Sequence, residues 1–152
     1  MERRRKADGE IVYTVIRFTG SGDKLPALEM VGISMNEKRP GVYEGIRAAR
    51  DGFACGLSIA PEWEGHKRAV LCFLEEFSDQ IIEARRAGVS LTVDVAVEPE
   101  DLKPCPQVRV LRGDPDFLAS LSAKGVAIEI SIYLFADAAT SREEEENLVQ
   151  HP

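Results

Sequence analysis

The chain has 152 residues, of which 44% are hydrophobic and 30% charged, and its formal net charge is −7. A chain of this size buries enough surface to fold as one domain without a metal ion or a disulfide framework. The three cysteines are odd in number and widely spaced, which is typical of a reducing compartment, so we expect a cytoplasmic protein.

The charge distribution disfavours nucleic acid as a partner. Basic side chains cluster only in residues 3–6, and the acidic remainder repels a phosphate backbone. The residues that follow this cluster are polar, so we expect no signal peptide, and no run of about 18 apolar residues predicts a membrane span. We therefore expect neither nucleic acid nor a membrane as a partner.

Composition divides the chain into three segments. Residues 1–10 are polar and are predicted to form a flexible N-terminus, and residues 11–135 are predicted to form a single α+β domain. Residues 136–152 carry one basic and five acidic side chains, which predicts a flexible acidic C-terminal tail.

The first third of the domain predicts one strand and one short helix. Residues 11–19 are rich in β-branched and aromatic side chains, which favours a strand. Asp23 then predicts a helix start, Gly32 predicts its end, and residues 33–41 predict a loop.

The next elements are predicted to be a hairpin and a long helix. Residues 42–50 and 53–60 favour two strands, and Asp51-Gly52 between them is typical of a two-residue hairpin turn. Apolar side chains then repeat every 3.6 residues over residues 64–87, which predicts one continuous helix that Gly88 ends.

The last third predicts strand, strand, helix and strand. Residues 89–97 alternate strictly between apolar and polar, residues 98–106 hold three prolines and predict a loop, and residues 107–112 favour a short strand. Asp114-Pro115 predicts the start of a helix that ends at Gly125. Residues 126–135 alternate again, with Val126, Ile128, Ile130, Ile132 and Leu134 predicted to lie on one buried face.

These elements predict an α+β fold with a mixed or antiparallel sheet and helices on one face. The first six have the βαββαβ order of a ferredoxin-like unit, and an appended strand-helix-strand extends its sheet. An exposed edge strand of such a sheet could pair across a dimer axis, so a homodimer is an open alternative to a monomer.

Three stretches resemble an uncharacterised family, domain-of-unknown-function family 4279. They are YTVIRFTG at residues 13–20, GFACGLS at 52–58, and FLASL with GVAIEISIY at 117–121 and 125–133. The resemblance covers about residues 11–135 and rests on structural stretches. It implies a small bacterial-type α+β protein of unknown activity, and it supplies no functional residues.

Residues suited to catalysis or metal binding are few. We place His66 on the surface in the first turn of the long helix, and Cys55 in the core. Cys72 is predicted to point outward beside acidic side chains that disfavour a thiolate, and Cys105 lies between prolines without a neighbouring base. We therefore predict no catalytic residue, no metal site and no cofactor, and we expect a protein that is not an enzyme.

Two polar surfaces remain as candidate binding sites. On the outward face of the sheet, Arg17, Asp94, Glu129 and Tyr133 are predicted to form a polar set, for which solvated cross-strand ion pairs are the alternative explanation. On the long helix, Glu75, Glu76, Asp79 and Glu83 form an acidic ridge that could attract a basic partner or only keep the protein soluble.

The function we predict is a non-catalytic protein-interaction module, possible examples being an immunity-type or accessory protein. The alternative is a small-molecule-binding protein or enzyme that uses the outward face of the sheet. A concave pocket with convergent polar groups would favour the alternative.

Overall fold

The computed structural model describes residues 11–47, 51–97 and 111–132. Strands and helices alternate along these residues except where two helices follow each other, and a 3₁₀ turn at Gly22–Lys24 precedes the first helix. The regular elements are β1 Ile11–Thr19, α1 Leu25–Lys38, β2 Gly52–Ser58, α2 Trp63–Glu76, α3 Ser78–Arg86, β3 Ser90–Val97, α4 Pro115–Lys124 and β4 Ala127–Ile132. The predicted α+β class is confirmed.

The described strands form one mixed sheet in the order β2-β1-β3-β4. β1 is antiparallel to both β2 and β3, whereas β3 and β4 are parallel. Parallel neighbours need a crossover connection, and α4 lies in the segment that joins β3 to β4. This topology leaves β2 and β4 as the two outermost described strands.

The core lies between one face of this sheet and the helices. Inward-facing side chains of β1 and β3, such as Phe18 and Val93, are fully buried against apolar side chains from all four helices. The predicted apolar stripe of the long helix is confirmed, because each member is buried: Val70, Phe73, Leu74, Phe77, Ile81 and Ala84. The other face of the sheet carries Arg17, Asp94 and Glu129, as predicted.

The prediction that Gly32 ends the first helix is wrong. α1 continues through Gly32 to Lys38, so most of the predicted loop over residues 33–41 is helical. A Cβ atom at Gly32 would lie 2.4 Å from Cδ2 of Tyr43. The glycine therefore gives the Tyr43 ring room to pack against the helix backbone.

The predicted hairpin is present only in part. β2 confirms the second strand, but residues 42–47 contribute only one bridge, between Arg47 and Gly52, and residues 48–50 lie outside the described part. The described elements consequently follow the order βαβααβαβ rather than beginning with βαββαβ.

The predicted continuous helix over residues 64–87 is wrong at one position. Phe77 has φ −104° and ψ 26°, and it separates α2 from α3. The amide of Phe77 still donates to Phe73 O at 3.0 Å, and its side chain is fully buried. An apolar stripe with a 3.6-residue period passes through such a break unchanged, so the pattern does not reveal it.

The start of α4 confirms the prediction. Asp114 accepts a hydrogen bond from the Phe117 amide at 3.0 Å, and Pro115 occupies the first turn. Gly125 ends the helix with φ +64°. Of the predicted strand over residues 107–112, only Leu111 and Arg112 are described and neither is in a strand, while the predicted loop at 98–106 and both termini lie outside the described residues.

Candidate functional site

The least covered part of the sheet is β4, and the prediction that its isoleucines are buried is wrong. The register places Ile128 beside Val93 and Ile130 beside Val95, so these side chains do face the helix side of the sheet. They are nevertheless 37% and 54% exposed, and Ile132 is 64% exposed. Alternation fixes the face of a strand but does not show whether a helix covers that face.

We define the β4 edge as residues Ala127–Ile132 together with the backbone groups on the side away from β3. Single exposed apolar residues are common on proteins, and Ile59 is one here at 79% exposure. Three isoleucines at alternate positions of one outermost strand form a contiguous row instead. Such a row beside an open strand edge is typical of a surface that pairs with another chain.

The other outermost described strand, β2, has a protected outer edge. At its first residue, Gly52, the carbonyl oxygen accepts a hydrogen bond from the Arg47 amide at 2.8 Å. Farther along, Cys55 Sγ donates to Val42 O at 3.3 Å. The register between β1 and β2 also shifts between Thr14 and Val15, and such irregularities disfavour pairing at a sheet edge. β4 carries no proline and its register with β3 is regular over six residue pairs.

Three of the four predicted outward residues come together as expected. Arg17 Nη2 donates to Asp94 Oδ2, and Arg17 Nη1 lies 3.9 Å from Glu129 Oε2. Ser131 Oγ donates to Asp94 Oδ1 at 2.6 Å, a contact that the residue pattern did not single out. Tyr133, the fourth predicted residue, lies outside the described residues.

The surroundings of Asp94 make this cluster a structural network. Asp94 is fully buried, although it lies on the outward face, and Arg17 and Ser131 donate to its two oxygens. A buried carboxylate is stable when charged and hydrogen-bonding partners satisfy both oxygens, as they do here. Because both oxygens are occupied, the cluster does not present a free acid or base.

The acidic ridge is brought together only in part. Glu75, Asp79 and Glu83 are exposed on α2 and α3. Glu76 instead accepts from Arg39 Nε at 3.1 Å and Nη2 at 2.5 Å, which ties the end of α2 to the end of α1. The ridge therefore offers three free carboxylates rather than four.

The prediction that His66 lies on the surface is wrong. Its ring is fully buried, with Nε2 2.6 Å from Ala60 O and Nδ1 2.8 Å from Thr14 Oγ1. Because a carbonyl can only accept, Nε2 carries the proton in the neutral ring and Nδ1 accepts from the Thr14 hydroxyl. His66 thus links β1 to the segment that precedes α2.

The two described thiols lie where the sequence predicts them, one buried and one exposed. Cys55 is buried as predicted, and burial raises the pKa of its thiol to about 12. Cys72 is exposed as predicted, and Cys105 lies outside the described residues.

A charged cluster joins α2 to α4. Lys67 Nζ lies 2.9 Å from both Glu64 and Asp114. The hydrogen bond from Lys67, together with that from the Phe117 amide, lowers the pKa of the Asp114 carboxyl. This cluster fastens α2 to the start of α4.

Among the described residues, two pockets lie beside the segment before β2. One, of about 320 Å³, lies between residues 39–44 and β2. The other lies beside Arg17, where β1 and β2 meet that segment. Its volume is about 160 Å³, and Arg17, Arg47 and Glu44 supply its charged groups. Ligand sites usually occupy roughly 300–1,000 Å³, so this pocket suits only a small ion or fragment. Within residues 11–47, 51–97 and 111–132, no cluster of three or more histidine, cysteine or acidic side chains could hold a metal ion.

Comparison with known protein families, curated proteins and solved structures finds no match. The resemblance to domain-of-unknown-function family 4279 stays a prediction. Among the described helices, none combines the length and the apolar character that crossing a bilayer requires.

Proposed function

We propose that this protein is a non-catalytic interaction module that contacts another polypeptide through the β4 edge. The observation that carries the proposal is the row formed by Ile128, Ile130 and Ile132, which is exposed on an outermost strand of the part of the sheet that the structure describes. An added strand would satisfy the outer backbone groups of β4 and remove these side chains from water. Full burial of an exposed isoleucine contributes about 1.5–3 kcal/mol, and because these three are 37–64% exposed, each would contribute roughly one to two thirds of that.

The environments of the ionisable groups support a non-catalytic role. Asp94 is enclosed by Arg17 and Ser131, and Asp114 is occupied as a helix cap and by Lys67. Cys55 holds its proton at neutral pH because its pKa is raised to about 12. Each of these groups already has a structural partner or is unreactive in its present state.

The biological setting we propose is that of an accessory or immunity-type protein. Both kinds of protein act by occupying a surface of another protein and need no catalytic groups of their own. The three exposed carboxylates of α2 and α3 would steer a basic partner toward the molecule, and this contribution would weaken as the salt concentration rises.

The test compares two lysine variants of exposed isoleucines. Ile130→Lys places a charge in the β4 edge, whereas Ile59→Lys places the same charge on an exposed isoleucine outside the strands. Proteins captured from the native host by the wild-type chain would be quantified by mass spectrometry, and each candidate would then be purified and titrated. We expect Ile130→Lys to weaken binding of the true partner at least ~10-fold, which corresponds to about 1.4 kcal/mol, while Ile59→Lys leaves it unchanged.

Two results would contradict the proposal. One is a purified partner that binds the wild type and Ile130→Lys with equal affinity. The other is the absence of any purified partner, including a second copy of this chain, that binds the wild type. Melting temperatures of both variants within about 2 °C of each other would show that the comparison reports the surface rather than unfolding.

The pocket beside Arg17 supports a second candidate function, the binding of a small anion. Arg17 and Arg47 both line it beside Glu44. Because Arg17 is already paired with Asp94, the Arg47 guanidinium would supply the charge that favours a carboxylate or phosphate oxygen. Binding of inorganic phosphate or acetate, measured by calorimetry on the wild type and on Arg47→Ala, would test it. Equal heats for both proteins would remove the candidate.

A further inference from the structure

We infer that the β4 edge pairs with the β4 edge of a second copy of this chain, antiparallel and centred on Ile130. This inference rests on the proposed function, because it names the occupant of the same surface. It uses three features of β4: its place as an outermost strand, the side to which each residue points, and the position of its one charged residue.

Symmetry restricts how two β4 strands can pair. A two-fold axis perpendicular to the sheet makes the strands antiparallel and keeps the helices of both copies on the same face. Directly opposite residues must then point to the same side, so isoleucine positions face isoleucine positions. With Ile130 on the axis, Ile128 lies opposite Ile132 of the other copy, and six isoleucine side chains form one continuous layer.

Charge selects this register over its neighbour. Centring the pair on Ile130 places Glu129 opposite Ser131 of the other copy. Centring it on Glu129 would place two glutamates directly opposite each other, which is unfavourable, and would leave Ile132 without an isoleucine partner. Centring it on Ser131 would pair Ile130 with Ile132 but would leave Ile128 without an isoleucine partner in the described strand. The register on Ile130 is therefore the one that pairs all three isoleucines.

The second copy explains why the isoleucines are tolerated on this strand. Outermost strands of monomeric proteins usually carry lysine, proline or a bulge that prevents pairing. β4 has the sequence AIEISI, in which every second residue is isoleucine and the one charged residue, Glu129, lies near Arg17. Six residues per strand make a small contact, so we expect a concentration-dependent dimer rather than an obligate one.

Sedimentation velocity from about 1 to 200 µM tests whether the dimer exists. We expect the wild type and Ile59→Lys to shift from monomer to dimer over this range, and Ile130→Lys to stay monomeric at every concentration. A wild type that remains monomeric throughout, or an Ile130→Lys variant that dimerises like the wild type, overturns the inference.

Cross-linking tests the register with conservative variants. Single cysteines would be introduced as Ile128→Cys or Ile130→Cys in a chain carrying Cys72→Ser and Cys105→Ser, and treated with a bismaleimide that spans about 8 Å. Opposite residues in paired strands lie about 5 Å apart, whereas residue 128 and its own symmetry mate would be about 13 Å apart, four residues along the strand. We expect dimeric product from Ile130→Cys and at least ~10-fold less from Ile128→Cys. Equal yields from both, or none from Ile130→Cys, overturn the register.

These outcomes separate the inference from the proposed function. If the chain is monomeric but a different purified protein loses affinity on Ile130→Lys, the interaction module stands and the second copy is wrong. If dimerisation is insensitive to Ile130→Lys and every purified partner is too, both are wrong.

Discussion

Replacing Gly32 with alanine tests how α1 is packed, because helix propensity and packing predict opposite results. In the middle of an exposed helix, Gly→Ala stabilises by about 1 kcal/mol. At position 32 the new methyl group would lie 2.4 Å from Tyr43 Cδ2, well inside contact distance. Overpacking of this kind costs about 1–3 kcal/mol.

The surroundings of Tyr43 decide which effect is larger. Its amide donates to Asn36 Oδ1 at 2.9 Å, and its carbonyl accepts from Asn36 Nδ2 at 2.8 Å. These two bonds tie the backbone of Tyr43 to Asn36, one turn after Gly32 in α1, so this backbone cannot move away from the helix without breaking them. Its ring also packs edge-on against Phe53, with centroids 4.8 Å apart.

We therefore expect Gly32→Ala to lower the free energy of unfolding by about 1–2 kcal/mol, measured by urea denaturation. In a chain that carries Tyr43→Ala the clash is absent, and the same Gly32→Ala change should raise stability by up to about 1 kcal/mol. The inversion of sign between the two backgrounds is the decisive readout. A stabilising effect of Gly32→Ala in the wild-type background would refute the packing we describe.

Three further predictions concern buried or charged groups. Thr14→Val keeps the shape of the side chain but removes the hydroxyl that bonds His66 Nδ1. We therefore expect the free energy of unfolding, measured by urea denaturation, to fall by about 1–3 kcal/mol. No measurable decrease would contradict the hydrogen bond. Iodoacetamide at pH 8 should alkylate Cys72 in the folded protein and leave Cys55 unmodified, because Cys55 is buried and its pKa is raised to about 12. Peptide mapping by mass spectrometry measures the modification of each cysteine. Modification of Cys55 before Cys72 would contradict this prediction. Because hydrogen bonds lower the pKa of Asp114 below its ordinary value of 3.8, its carboxylate stabilises the fold above that pH and the contribution is lost as the pH falls through the lowered pKa. The stability difference between the wild type and Asp114→Ala should thus shrink in acid, and a difference that grows on acidification would show that the carboxylate is not the stabilising form.

Local patterns predicted much of the fold, because they record which side of an element is apolar. The stripe through Val70 and Ile81 and the apolar side of β3 both correspond to buried faces, although Asp94 and Ala96 on the other side of β3 are buried as well. The helix start at Asp114 was predicted equally well, because a capping residue followed by proline is typical of the first turn of a helix.

The features that the sequence concealed depend on contacts between distant residues. Gly32 resembles a helix stop, and the Tyr43 ring that packs against it explains why a glycine is needed inside the helix instead. His66 resembles a surface residue, and its burial depends in part on a hydrogen bond with Thr14, 52 positions away. Both contacts join elements whose spatial order cannot be read from local periodicity.

The candidate site was predicted with the same mixture of success and failure. Arg17, Asp94 and Glu129 do share the outward face, because strand alternation places them there. The isoleucines of β4 were expected in the core, since alternation is identical for a covered strand and an uncovered one. Strand order and helix position decide that difference, and neither follows from the pattern within β4.

An NMR dilution series on protein labelled at the isoleucine methyl groups tests the β4 edge most directly. As the concentration rises from about 10 to 500 µM, we predict progressive shifts for Ile128, Ile130 and Ile132, with no change at the exposed controls Ile33 and Ile59. Shifts confined to the controls, or spectra that do not change over this range, would contradict the pairing of two β4 edges.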